Sequence, residues 1–207
     1  MIVRLYPENP NPRSVERVAA SLEEGGIVIL PTDTLYAFAC SMKYKKSVET
    51  MARLKGFSLK QAKYSMLCAS LSMVSEYTRA MDKDLFQTLK RHLPGPFTFI
   101  MEANNNVPRN YQNANRTIGI RVPNNGICRA IVERIGCPLI ATSVRRIPPD
   151  ADSGYVTDPE LIAELFSDQV DLIVDGGIGS DEPSTVVDCS AGKMEVVRQG
   201  KGVVEDL

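Results

Sequence analysis

The chain is poor in the residues that most reaction classes depend on. None of its 207 residues is Trp, one is His, and aromatics make up 6%. A His-ligated metal centre or a Ser-His-Asp triad would rest on His92 alone. That residue ends the polar run Lys90-Arg91-His92, where a solvated or helix-capping role fits better. The five cysteines are odd in number and none has C-x-x-C spacing, which excludes a zinc ribbon or dithiol motif and predicts free thiols. No G-x-x-x-x-G-K-[ST] phosphate loop occurs, and Gly176-Gly177-Ile178-Gly179 lacks the third glycine of a dinucleotide fingerprint, so it reads as a turn. No stretch approaches the roughly 18 apolar residues of a membrane span. Met1 to Pro12 carries Arg4 and an Asn/Pro cluster where an export signal would be apolar. A cytoplasmic protein without a membrane partner is expected.

Net charge is also small, at −1. A protein that holds nucleic acid mainly by bulk electrostatics carries a large positive excess, so that class is disfavoured. The average hides a split: residues 1–121 carry 17 Lys+Arg against 10 Asp+Glu, and residues 122–207 carry 7 against 15, or +7 and −8. No Pro/Gly/Ser-rich linker separates the halves and no repeat is present, so one domain over 1–207 is expected.

Hydrophobic residues make up 43% of the chain, and their pattern is alternation of helix and strand. Val15, Val18, Ala19 and Leu22 recur at helical spacing behind Ser14 and stop at Gly25-Gly26. Further helices are predicted near Ser47–Leu54, at Leu85, Phe86, Leu89 and Leu93, over Gly126–Ile135, and from Thr157-Asp158-Pro159-Glu160. Short apolar or β-branched runs at Ile27–Leu30, Tyr64–Cys68, Phe97–Met101, Thr117–Val122, Leu139–Thr142, Asp171–Val174, Thr185–Asp188 and Glu195–Arg198 read as strands. The expected fold is mixed α/β, a twisted sheet of about seven strands surrounded by helices.

Strand ends carry hydroxyls and single cations. Ile27–Leu30 leads to Thr32-Asp33-Thr34, Leu139–Ala141 to Thr142-Ser143 and Arg145-Arg146, and Ile118–Ile120 to Arg121. Ser184 precedes a strand, Arg198 ends one, and Lys55 follows a helix. In open α/β sheets ligands lie in the crevice at the carboxyl ends of strands. Guanidinium groups and neutral hydroxyl donors there suit an anionic substrate and need no metal ligands.

The ordered runs Gly26-Ile-Val-Ile-Leu-Pro-Thr-Asp-Thr-Leu-Tyr36, Leu54-Lys55, Leu93-Pro-Gly-Pro-Phe-Thr98, Ile118-Gly-Ile-Arg-Val-Pro123, Pro138-Leu-Ile-Ala-Thr-Ser143, Asp171-Leu-Ile-Val-Asp-Gly-Gly177, Ser184-Thr-Val-Val-Asp188 and Val197-Arg-Gln-Gly200 resemble the YrdC/YciO family over almost the whole chain. Length and the Tyr64–Cys68 strand are most similar to its YciO branch. The resemblance implies a YrdC-like (YrdC/RibB-type) fold with a large concave cationic cavity. It also implies synthesis of L-threonylcarbamoyladenylate from threonine, bicarbonate and ATP, with release of pyrophosphate, for threonylcarbamoyladenosine in tRNA. Carried over by position, Lys55 and Arg121 are the catalytic candidates, with Arg121 also facing the threonine carboxylate. Thr32, Thr34, Thr142 and Ser184 belong to substrate binding, and Lys55, Ser143, Arg145 and Arg198 to nucleotide binding. Mg²⁺ is expected only as the companion of ATP.

Two segments depart from the family pattern. K-x-R-P reads here Lys55-Gly56-Phe57-Ser58, with Lys60 and Lys63 as replacement cations. S-A-N-x-S-G reads Ser143-Val144-Arg145-Arg146-Ile147-Pro148, with Arg145 where an amide belongs. A second reading therefore stands beside the nucleotidyltransferase: a diverged, non-catalytic paralogue that binds double-stranded RNA or tRNA as a translation-associated factor, with Lys43-Tyr44-Lys45-Lys46 as its local basic patch.

Overall fold

Ile29, Phe38, Ile140 and Ile173 alternate along their strands with Val28, Ala37, Ala141 and Leu172, and the two sets belong to two separate apolar clusters. A sheet buried on both faces follows from that alternation. The computed structural model describes residues 1–56, 63–145 and 154–204. Among them ten strands form one mixed sheet, in the order β1 (Ile2–Arg4), β8 (Leu172–Asp175), β2 (Val28–Leu30), β3 (Ala37–Ser41), β7 (Leu139–Ser143), β4 (Ser65–Leu67), β6 (Thr117–Arg121), β5 (Phe97–Glu102), β9 (Thr185–Asp188) and β10 (Glu195–Arg198). Pairings are parallel at β1/β8, β8/β2, β4/β6 and β5/β9 and antiparallel elsewhere.

The sheet is wider than the expected seven or so strands, because β1 and β3 carry weak local signals. β1 has three residues with only Val3 buried, and its order comes from parallel pairing with β8, Val3 opposite Val174. β3 reads Ala-Phe-Ala-Cys-Ser, with no β-branched residue. It is a strand because β2 and β7 flank it on both sides and bury all five residues.

Helix ends follow local chemistry. α1 (Pro12–Glu23) starts ahead of the predicted Ser14, because Asn11 caps it through Oδ1 to the Arg13 and Ser14 amides at 3.0 and 3.2 Å, with Pro12 in the first turn. It ends at Gly25, whose φ of +89° is the left-handed conformation glycine tolerates. α5 (Gly126–Ile135) is capped by Asn125 and α6 (Pro159–Phe166) by Asp158. α2 (Lys45–Leu54) and α4 (Lys83–His92) extend a residue or two beyond their apolar periodicity. α3 (Leu71–Tyr77), capped by Ser70, is short enough to escape periodicity.

One face of the sheet packs under α1 and α5, through Val18 and Leu22 from α1 and Ile127, Ile131 and Val132 from α5. The strand residues of this cluster come from β1, β2, β3, β4, β7 and β8, and none comes from β5, β6, β9 or β10. The opposite face is covered by residues of α2, α3, α4 and α6, among them Met51, Val74, Leu89 and Phe166, whose ring meets Phe38 edge-on at 5.2 Å. Of the two roles expected of His92, the helix-capping one fits: the half-buried side chain bonds back to α4. Its Nδ1 donates to the Thr88 carbonyl at 2.8 Å and its ring lies 4.9 Å from Phe97. All five cysteines are free. Burial pushes the Cys40, Cys128 and Cys189 thiols up to about 12 and Cys68 higher still, so none is a poised nucleophile.

Candidate functional site

On the face that α1 and α5 pack against, the edge of their cluster at β3, β4 and β7 and the strands beyond it form the floor of a cavity of about 470 Å³. The middle of the floor is built of the small residues Ala141, Ser65 and Gly119. Ala141, Ser65, Gly119 and Ile100 lie side by side across β7, β4, β6 and β5. A Cβ on Gly119 would stand 3.0 Å from Thr98 Cγ2 and 3.2 Å from Ser65 Oγ, so glycine keeps the strands close and the floor low. On β6 and β5 the lining residues Gly119, Arg121, Thr98 and Ile100 alternate with the core residues Ile118, Ile120, Phe97 and Phe99. The site thus spreads over a sheet face and is not confined to a crevice at the strand ends.

Thr34, Lys55, Arg121, Thr142, Ser143, Arg145, Ser184 and Arg198 all line this cavity. They come from both the basic and the acidic part of the chain. Every charged residue of the described lining is a cation, and Lys63 joins the four named above. Phe57, Lys60 and Arg146 lie outside the described residues.

Thr32 is the candidate that does not reach the lining. Its hydroxyl serves its own turn, donating to the Leu35 carbonyl at 2.7 Å and accepting from the Thr34 amide at 3.1 Å. Thr32 Oγ1 is also 3.2 Å from Thr34 Oγ1, so it braces the neighbour that does face the cavity.

Lys55 stands at the C-terminal cap of α2 and reaches across to β7, where its Nζ donates to Thr142 Oγ1 at 2.8 Å and Ser143 Oγ at 3.5 Å. Burial, reinforced by the Arg145 charge, pulls its amine from 10.5 down to about 8. Arg145 pairs across an isolated bridge with Tyr155, lies over its ring at 4.5 Å and donates to its hydroxyl.

At the other end Arg198 Nη2 donates to the Ser184 carbonyl at 2.7 Å and to its Oγ at 3.3 Å, and Ser184 Oγ lies 2.7 Å from Thr98 Oγ1. Arg121 is nearly buried, with its Nη2 held 2.7 Å from Asp33 Oδ1. Burial lowers its pKa and the Asp33 charge opposes that shift. Thr98, Tyr155, Tyr64, Ser65 and Asn113 also line the cavity and were not singled out from sequence. Thr98 carried a usable signal, since it closes the Pro94-Gly95-Pro96-Phe97-Thr98 run and sits at an inward-alternating position. The others show no pattern before the chain is folded.

Among the described residues no group of three or more His, Cys, Asp or Glu side chains is placed to hold a metal ion. None of their helices is long and apolar enough to cross a membrane.

The Sua5/yciO/yrdC family model, described as "Telomere recombination", matches residues 20–200. The uncharacterized protein YciO of Escherichia coli K12 is 34% identical over 202 residues, covering 97% of this chain and 96% of that one. Its crystal structure superposes with a TM-score of 0.91, covering 99% and 98% of the two chains. Human threonylcarbamoyl-AMP synthase is 32% identical over 199 residues, covering 90% of this chain and 67% of its own. The fold is also that of P. abyssi Sua5 complexed with L-threonine, at a TM-score of 0.86 and 23% identity, covering 97% of this chain and 57% of that one. The chain belongs to the Sua5/YciO/YrdC family.

Proposed function

We propose that the protein is a threonylcarbamoyl-AMP synthase-type nucleotidyltransferase. It would join threonine, bicarbonate and MgATP to give threonylcarbamoyl-AMP and pyrophosphate, in service of tRNA modification in the cytoplasm. The observation that carries this reading is the convergence of Lys55, Arg121, Arg145 and Arg198 with the hydroxyls of Thr34, Ser143 and Ser184 on one cavity. Similarity to the human synthase over 90% of this chain supports it, as does the shared fold with a Sua5 that is complexed with L-threonine.

The reaction brings together a carboxylate, a carbamate formed from the threonine amine and bicarbonate, and a triphosphate. The carbamate oxygen attacks the α-phosphorus and pyrophosphate leaves. Mutually repelling anions need fixed cations, and the developing phosphoryl charge needs donors that are already oriented. Arg121 takes the threonine carboxylate, with Thr34 and Ser184 as hydroxyl partners. Lys55, Arg145 and Arg198 meet the phosphates, with Ser143 donating beside Lys55. Thr142 holds Lys55 in place. The described lining offers no carboxylate to a metal, so Mg²⁺ enters as part of the MgATP substrate. Arg145 restores positive charge on the nucleotide side, where the family arginine is replaced by Phe57, and Lys63 adds to it.

Purified protein supplied with threonine, bicarbonate and MgATP is expected to release pyrophosphate only when all three are present. Turnover without threonine would overturn the reading. So would absence of turnover combined with salt-sensitive binding of duplex RNA, which would favour the RNA-binding alternative.

A further inference from the structure

Asp33 is not itself part of the cavity lining, and it is anchored from outside the turn between β2 and β3 through both carboxylate oxygens and its carbonyl. Its carboxylate is 9% exposed and the Arg121 side chain 10%. Oδ1 accepts from Arg121 Nη2 at 2.7 Å, and Oδ2 accepts from the Asn124 amide at 3.0 Å, in the loop that leads into α5. Its main-chain carbonyl accepts from Lys201 Nζ at 2.9 Å, in the segment after β10. Two stretches of chain far from the turn in sequence, residues 121–124 and Lys201, therefore fix one residue, and a third ties the turn next to it. That third tie is the Ser180 amide, which donates to the Thr34 carbonyl at 3.2 Å.

Arg121 depends on this anchor. Its Nε is buried and has no hydrogen-bond partner among the described residues. A buried donor left unpaired is costly, so Arg121 relies on its remaining bonds for its position. A guanidinium is planar, so a bond that fixes Nη2 also fixes where Nε–H points.

We propose that Asp33 is a positioning residue of the site: it holds the Arg121 guanidinium by Nη2 and so fixes the edge that Arg121, which lines the cavity, presents to a ligand carboxylate. This rests on the reading of Arg121 as the carboxylate partner. Without the anchor the guanidinium rotates about its long side chain, and the cost appears in carboxylate binding and not in phosphate binding. Phosphate-side cations Lys55 and Arg145 are held by Thr142, Ser143 and Tyr155 and share no partner with Asp33.

Asp33→Asn tests this, since it keeps shape while removing the charge and one of the two acceptors. Hydrogen exchange of the Arg121 Nε–H, followed by ¹⁵N NMR in the ligand-free protein and assigned by its loss in Arg121→Lys, is expected to quicken about tenfold. KM for threonine is expected to rise about tenfold while KM for ATP stays within about twofold. Unchanged exchange overturns the proposal. A parallel rise of both KM values with a lowered melting temperature overturns it too, because a merely structural residue would behave so. Threonine-independent turnover by the unsubstituted protein would remove the threonine reading, and the ligand-free exchange measurement would still decide the role of Asp33.

Discussion

Lys55 sets how the site responds to pH. Burial holds its amine at about 8 in the folded protein against an ordinary 10.5. Below about 8 both folded and unfolded chains carry the charge, and the folded state bears the cost of desolvating it. Between about 8 and 10.5 the folded protein binds fewer protons than the unfolded chain, so this residue makes stability rise with pH across that window. Denaturant titrations at several pH values should show that rise in the ligand-free protein and lose it in Lys55→Met. Anionic substrate favours the charged amine, so MgATP binding near pH 8 to 9 should take up protons, visible by calorimetry in buffers of different ionisation heat. The pair of Arg121 and Asp33 carries a stability consequence as well. Arg121→Ala leaves a carboxylate buried without its cation, and unfolding experiments should show a loss of about 3 to 5 kcal/mol. Most cationic and hydroxyl side chains of the site were legible from strand ends and motif order. Asp33 was visible in Thr32-Asp33-Thr34, but its function was not, because its partner lies 88 residues away.

At the scale of elements, alternation explains both core and cavity. β6 sends Ile118 and Ile120 to one face and Gly119 and Arg121 to the other, so a single strand serves packing and binding. Gly119→Val would place atoms against Thr98 and Ser65 and raise the floor. It is expected to cost about 1 to 3 kcal/mol in stability and to abolish substrate binding, measured by chemical denaturation and calorimetry. Asn11→Ala, outside the cavity lining, should cost about 1 kcal/mol through the lost cap of α1 and leave turnover unchanged. Helices with a long apolar stripe or a strong cap were readable one by one. β1, β3 and α3 were not, since three to seven residues hold too little periodicity and their order comes from neighbours. Most of the expected strand-end residues do line the cavity, but that its floor also runs along β4, β5 and β6 was not readable, for a related reason. Where α1 and α5 stop covering the sheet is a matter of packing between elements, and no local pattern encodes it.

Across the whole molecule the uneven charge acquires a meaning. The +7 and −8 parts of the chain do not make two poles at the cavity, because Lys55 and Arg121 from one part meet Ser143, Ser184 and Arg198 from the other around it. The net charge of −1 includes the cavity cations, so the rest of the chain carries a negative excess, and Lys45 of the local basic patch is engaged with Glu49 at 3.4 Å. Fluorescence anisotropy is therefore expected to show little duplex RNA binding at physiological salt. By itself the sequence determined the class of fold, the family and most of the cations and hydroxyls that line the cavity, because periodicity, capping and motif order are properties of neighbouring residues. Only the tertiary structure decided which part of the sheet stays open, that Thr32 braces its own turn, and that Asp33 holds Arg121. Those outcomes depend on contacts between residues far apart in the chain, and such contacts exist only after folding.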